Sequence, residues 1–120
     1  MAVLDTFALS EFAEKAHQIS LSHGFYGDEV YDHLMDNAVE YNRLLLIVTE
    51  VAEATEAIRN GMAEYPSEHI GDHTQLAEEL ADIIIRALDF ARWKEIDIGA
   101  AVTAKLGYNE SRPHKHNKEC

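Results

Sequence analysis

Residues 49–61, TEVAEATEAIRNG, and residues 73–93, HTQLAEELADIIIRALDFARW, decide the reading of this chain. Each carries two acids three residues apart, Glu50 with Glu53 and Glu79 with Asp82. Residues i and i+3 are neighbours on a helix surface, so each pair shares a face. Helical periodicity runs one apolar stripe through Leu44, Ile47, Val48, Val51 and Ile58, and another through Leu76, Leu80, Ile83 and Ala87. Both acid pairs fall on the flank of their stripe. Two such stripes packed antiparallel bring four carboxylates to one half-buried place. Like charges held that close repel unless a cation sits among them or some are protonated. Oxygen ligands without Cys or His favour Mg²⁺, Mn²⁺ or Ca²⁺ over Zn²⁺. The competing reading of either pair alone is a solvated outer helix face, where Glu is common. Two pairs at matching flank positions on sequential helices weigh against it.

The remaining periodicity is helical throughout, with no convincing two-residue alternation, so the expected fold is all-α: an antiparallel four-helix bundle-like arrangement, oligomeric. A first helix is expected from about Leu4 to His23, with Phe7, Phe12, Ala16 and Ile19 as its apolar face and Gly24 as its stop. A second is expected from about Asn37 to Asn60, closed by Gly61. Asp72 with Gln75 offers a capping box for the third, which runs to about Trp93. Asp97 caps a short fourth from about Ile98 to Leu106, broken at Gly107. In the third helix Ala81, Ile84, Ile85 and Leu88 lie off the main stripe, which makes it apolar nearly all round. In so short a chain that points to a subunit interface, in a homodimer or homotetramer. Between the first two helices Gly24 and Gly27 bracket Phe25 and Tyr26, which either plug the end of the bundle or stack on a flat ligand.

A chain of 120 residues is one domain, taken as a helical unit over 1–108 with a tail over 109–120. Its net charge of −12 argues against nucleic-acid and membrane-surface partners. The single cysteine, Cys120, excludes an intramolecular disulfide. The start of the chain lacks a basic segment ahead of a hydrophobic one, and no 18-residue apolar run exists; the expected location is cytoplasmic. From Lys105 onward the balance reverses, with Lys105, Arg112, Lys115 and Lys118 against Glu110 and Glu119. Either this tail simply balances charge, or its cations meet an anion that the carboxylates alone would repel. Metal held by carboxylates with Lys and Arg nearby is how sites hold and polarise phosphate chains.

Together with DIGAAVTAKLGYNESRPHKHNK at residues 97–118, these segments resemble the MazG-like branch of the all-α nucleoside triphosphate pyrophosphohydrolases. The resemblance spans about His17 to Lys118. It rests on E-x-x-E and E-x-x-D followed by K-x-x-x-N-x-x-R-P, here Lys105, Asn109, Arg112 and Pro113. It implies hydrolysis of (deoxy)nucleoside triphosphates to the monophosphate and pyrophosphate, a nucleotide house-cleaning reaction, with Mg²⁺ or alternatively Mn²⁺. By the same resemblance Glu50, Glu53, Glu79 and Asp82 hold the metal, and Lys105, Asn109 and Arg112 hold the phosphates. Pro113 turns the chain so that Lys115 closes over them. Catalytic roles fall to Glu53 as proton acceptor and to Lys105 and Arg112 on the leaving pyrophosphate. For the base, His17 and an aromatic nine residues on, Tyr26 beside Phe25, match a pattern of relatives that favour deoxycytidine nucleotides, and Asn42 matches a polar position there. That aromatic is often Trp in such relatives and is Tyr here. A carboxylate-bridged di-iron bundle would carry E-x-x-H on its helices, and none is present. A non-enzymatic helical dimerisation or regulatory protein is the other alternative, and metal-dependent release of pyrophosphate separates the two.

Overall fold

The structure, a computed structural model, describes residues 6–24 and 36–113. Among them the chain forms four helices and no strand: α1 (Thr6–Ser22), α2 (Asp36–Arg59), α3 (Gln75–Trp93) and α4 (Ile98–Ser111). The fold is all-α, as the periodicity predicts.

Local sequence explains each end. Gly61 takes the left-handed conformation at φ 74° and closes α2, where its N–H reaches the Ile58 carbonyl and that of Met62 reaches Ala57. The third helix starts differently from the expected capping box. Its N-cap is Thr74, whose backbone is extended and whose side chain accepts from the Ala77 N–H at 3.0 Å. An isolated bridge between Pro66 and Thr74 holds Thr74 in that extended form, leaving Asp72 two residues too early. Asp97 caps α4 as expected, accepting from the Ala100 N–H at 3.1 Å.

Gly107 does not break α4. One glycine in a helix interior costs about 1 kcal/mol, which neighbouring turns offset, and the helix runs on to Ser111. Pro113 ends it, because a residue before proline is driven out of the helical region; Arg112 accordingly sits at φ −71°, ψ 145°.

Helix α3 is the centre of the molecule. Both α1 and α2 pack along it, while α4 packs on α1 and touches only the edge of α3. Among the described residues α1 and α2 do not meet, nor do α2 and α4. Both contacts with α3 are antiparallel, as ion pairs along their length show. On the α1 side Glu14 meets Arg92 and His17 meets Asp89; on the α2 side Glu50 meets Arg86 and Glu40 meets Lys94.

The buried faces are not the expected ones. Helix α1 turns Ala13, Ala16 and His17 inward, leaving Phe7, Phe12 and Ile19 exposed. Helix α2 presents Glu50 and Ala54 to α3, whereas Leu44, Val48, Val51 and Ile58 of the expected stripe are exposed, Val48 to 59%. Small residues permit close helix approach, so an alanine face seats against α3 and the larger side chains point away. Leu88, expected on an outer face, is buried against α1, while Ile84 and Ile85 remain exposed. Leu88 is the one large apolar side chain buried among the described residues, a contribution of roughly 1.5–3 kcal/mol. So thin a core leaves two apolar surfaces open. One is the ridge of α2; the other is a groove between α1 and α3 lined by Phe12, Ile19, Ile84 and Ile85.

Candidate metal centre and its surroundings

The acid pairs come together where α2 crosses α3. Oxygens of Glu50, Glu53 and Glu79 lie within 4.8 Å of one another. Glu50 is buried at 7% exposure, Glu53 is exposed, and Glu79 is between. Glu50 therefore sits on the packed face of α2 rather than on the flank of its apolar stripe. Asp82, the fourth expected ligand, lies one turn along α3 from Glu79 and outside that group of three.

Electrostatics mark the place as short of positive charge. A hydrogen bond with Glu50, then the Glu50 charge, push the Glu53 carboxyl above its ordinary value. Burial does the same to Glu79, reinforced by Glu53, Asp82 and Glu50. Burial and the Glu50 and Glu78 charges raise Asp82, with Arg86 opposing. One Glu79 oxygen, Oε2, is buried without a hydrogen-bond partner. Buried polar atoms are normally satisfied. Carboxylates whose ionisation burial and neighbouring charges oppose, with an orphaned oxygen among them, suit a hard divalent cation.

Two residues here escaped the sequence reading. Arg86 donates from Nε to Oε1 of Glu50 at 2.7 Å. Asp89, buried, accepts from Ser20 Oγ at 2.8 Å and pairs with Nδ1 of His17 at 2.9 Å. The spacing could have disclosed them: Asp82, Arg86 and Asp89 stand at i, i+4 and i+7 on one helix face. Between α1 and α3 that face opens into a pocket of about 220 Å³, lined by Ser20, His23, Asp82, Arg86 and Asp89 with Ile19 and Ile85.

The connection before α3 is also built rather than loose. Buried Ser67 donates from Oγ to Oε1 of Glu78 and accepts the N–H groups of His69 and Ile70, each at 3.1 Å. His69 Nδ1 lies 2.8 Å from the second Glu78 oxygen. Hydrogen bonds from Ser67 and His69 hold the Glu78 carboxyl below its ordinary value. This knot fixes the first turn of α3, and with it the direction of Glu79.

The remaining expected site residues are distributed as follows. Lys105 and Asn109 share one face of α4, extended by the helix that Gly107 fails to break, and Arg112 caps its end. Lys105 Nζ lies 4.6 Å from the centre of the Tyr108 ring, and the Arg112 guanidinium 5.6 Å from the same ring. Asn109 Oδ1 is buried without a hydrogen-bond partner. None of this row is on a helix that touches α2. His17 is taken into the contact between α1 and α3, and Asn42 is exposed on α2. Phe25, Tyr26 and Lys115 lie outside the described residues.

Residues 40–116 match the family model of the MazG nucleotide pyrophosphohydrolase domain. The chain belongs to the MazG family. The match takes in Glu50, Glu53, Glu79 and Asp82 together with Lys105, Asn109 and Arg112, and leaves out α1. No curated protein and no solved structure matches the chain. Among the described residues no helix of this MazG chain is long and apolar enough to cross a membrane.

Proposed function

We propose that this MazG chain hydrolyses nucleoside triphosphates to the monophosphate and pyrophosphate with Mg²⁺, or Mn²⁺, held by Glu50, Glu53, Glu79 and Asp82. The observation that carries the reading is the meeting of Glu50, Glu53 and Glu79 around an orphaned Glu79 oxygen, inside the matched domain. A divalent cation there supplies charge against the phosphate oxygens and lowers the pKa of a water. Glu53 is the acid on the exposed edge, and the same neighbours that raise its carboxyl make it a better proton acceptor at neutral pH. It takes the proton of the water whose oxygen bonds to phosphorus, while the bond to the leaving pyrophosphate breaks. Lys105, Asn109 and Arg112 bind the phosphates and offset the charge that gathers on that leaving group.

The active unit contains at least two copies. Among the described residues the apolar ridge of α2 is uncovered and α4 has no contact with α2. A second copy seated on α2 accounts for both, because it covers the ridge and can supply the cation row. Base reading by His17 and Asn42, with Phe25 and Tyr26, is part of the same proposal. The chain acts in the cytoplasm on free nucleotides, as house-cleaning of the nucleotide pool.

Pyrophosphate release from a panel of nucleoside triphosphates, with MgCl₂ and with EDTA, is the test. Release that requires the metal and is lost in Glu53→Gln is expected. A protein that leaves every nucleotide intact is instead a helical dimerisation or regulatory module.

A further inference from the structure

The mechanism above leaves Arg86 without a role, although it touches the most buried acid of the centre. Its Nε donates to Oε1 of Glu50 at 2.7 Å, with the Arg86 side chain 31% and the Glu50 side chain 9% exposed. One oxygen of Glu50 is thus already engaged by a fixed donor on α3, while the same carboxylate brings an oxygen within 4.8 Å of those of Glu53 and Glu79. A carboxylate can bind a cation through one oxygen or chelate it through both. Ca²⁺ takes six to eight oxygens and commonly uses chelating carboxylates, whereas Mg²⁺ demands six in near-octahedral order. Chelation by Glu50 would require Oε1 to leave Arg86, and the freed guanidinium would face the incoming cation from within a partly buried site.

We propose that Arg86 is a positioning residue that confines Glu50 to ligation through one oxygen and thereby sets the preference of the centre for Mg²⁺ and Mn²⁺ over Ca²⁺. The inference rests on the metal-dependent reading above. A guanidinium beside the ligands also removes one unit of negative charge, which weakens every divalent cation alike. Absolute affinity therefore does not report the effect; the ratio between cations does. Outer hydrogen bonds to metal ligands typically govern affinity by about 10–100-fold, which is the scale expected for this ratio. A purely mechanical strut between α2 and α3 predicts something different: lower stability with the ratio unchanged.

The experiment is calorimetric titration of the full chain with MgCl₂ and, separately, CaCl₂, in the wild type and in Arg86→Met, which keeps an apolar stem and removes the donor. Wild type is expected to favour Mg²⁺, and the variant to lose at least tenfold of that Mg²⁺:Ca²⁺ ratio. Arg86→Lys, which keeps the charge and loses the Nε fork, serves as the second variant should Arg86→Met fail to fold, and the same fall is expected. A ratio within threefold of wild type in a folded variant overturns the proposal, as does a wild type that favours Ca²⁺. Wild type that binds neither cation overturns the metal reading itself, a different result from either of these.

Discussion

Arg86 on the central helix donates to Oε1 of Glu50 on α2, so the most buried acid of the cluster is also the one with a fixed cationic partner. Glu53, three residues along the same helix, is instead pushed toward protonation by Glu50, with Arg86 opposing only weakly. Two acids of one motif therefore make opposite contributions to folding.

That asymmetry gives a stability test in metal-free protein. Glu50→Gln removes the charge that Arg86 answers and weakens the tie between α2 and α3. The full cost of breaking a buried pair is about 3–5 kcal/mol; partial exposure reduces it here to about 1–2 kcal/mol. Glu53→Gln relieves repulsion and is expected to leave stability unchanged or raise it. Urea melts in EDTA measure both, and equal destabilisation by the two substitutions would show that the pairing does not matter.

Metal response should depend on pH, with a sign fixed by the raised carboxyls. Glu53, Glu79 and Asp82 each titrate above their ordinary values, so the folded state binds more protons than the unfolded state in that range. The contribution of these groups to the stability of the metal-free protein is then fully present below their ordinary, unfolded values and is lost as pH rises through the folded ones. A bound divalent cation takes the place of those protons. The rise in Tm on adding MgCl₂ should accordingly grow from about pH 5 to pH 7.5, in the direction set by competition between metal and protons. Thermal melts across that range check it, and a shift that shrinks with pH would contradict the assignment of these acids as ligands.

Much of this was legible in the sequence, and the misses share a cause. The spacing of Glu50, Glu53 and Glu79 on two helices foretold their meeting, because i,i+3 geometry is a property of the backbone. Which face of α2 turned inward was not legible. Hydrophobic periodicity reports apolar surface that something must cover, and among the described residues nothing covers Leu44, Val48 and Ile58. Ala54 and Ala57 carry little hydrophobic signal, yet small side chains let α2 approach α3 closely enough for Glu50 to reach Arg86. Arg86 and Asp89 were passed over because each reads singly as a charge on an apolar helix, and only their partners Glu50 and His17, distant in sequence, give them meaning. At Gly107 a local breaker signal lost to the cooperativity of the surrounding helix.

A local prediction follows from the end of α3. Glu95 occupies the left-handed region at φ 59°, where its N–H reaches the Arg92 carbonyl and that of Ile96 reaches Ala91. The same closure at α2 uses Gly61. A residue with a Cβ in that conformation costs roughly 1–2 kcal/mol relative to its preferred regions, and glycine avoids most of it. Glu95→Gly is expected to stabilise by about 1 kcal/mol, less the greater flexibility of glycine in the unfolded chain. The urea midpoint should rise with the slope unchanged. A lower midpoint would mean that the Glu95 side chain contributes more than its backbone strain costs.

The last prediction concerns where the cations come from. Lys105 and Asn109 stand on α4 and Arg112 caps it, and among the described residues that helix rests on α1 and does not meet α2. The triphosphate carries about four negative charges near neutral pH, and Lys105 and Arg112, gathered around Tyr108, are the cations proposed to meet it. Arg112→Ala removes a planar fork to phosphate oxygens and is expected to lower activity by at least ~100-fold, about 3 kcal/mol of transition-state stabilisation. Glu53→Gln is expected to do similar damage from the acid side. If each site joins the acids of one copy to the α4 row of another, a mixed dimer of the two variants holds one site with both defects and one with neither. Random exchange makes half the dimers mixed, so a co-refolded mixture should regain on the order of a quarter of wild-type activity. Sites contained within single chains would each keep one defect, and mixing would restore nothing. Recovery on mixing, measured as pyrophosphate release, therefore separates a site shared between copies from one that α4 reaches within its own chain.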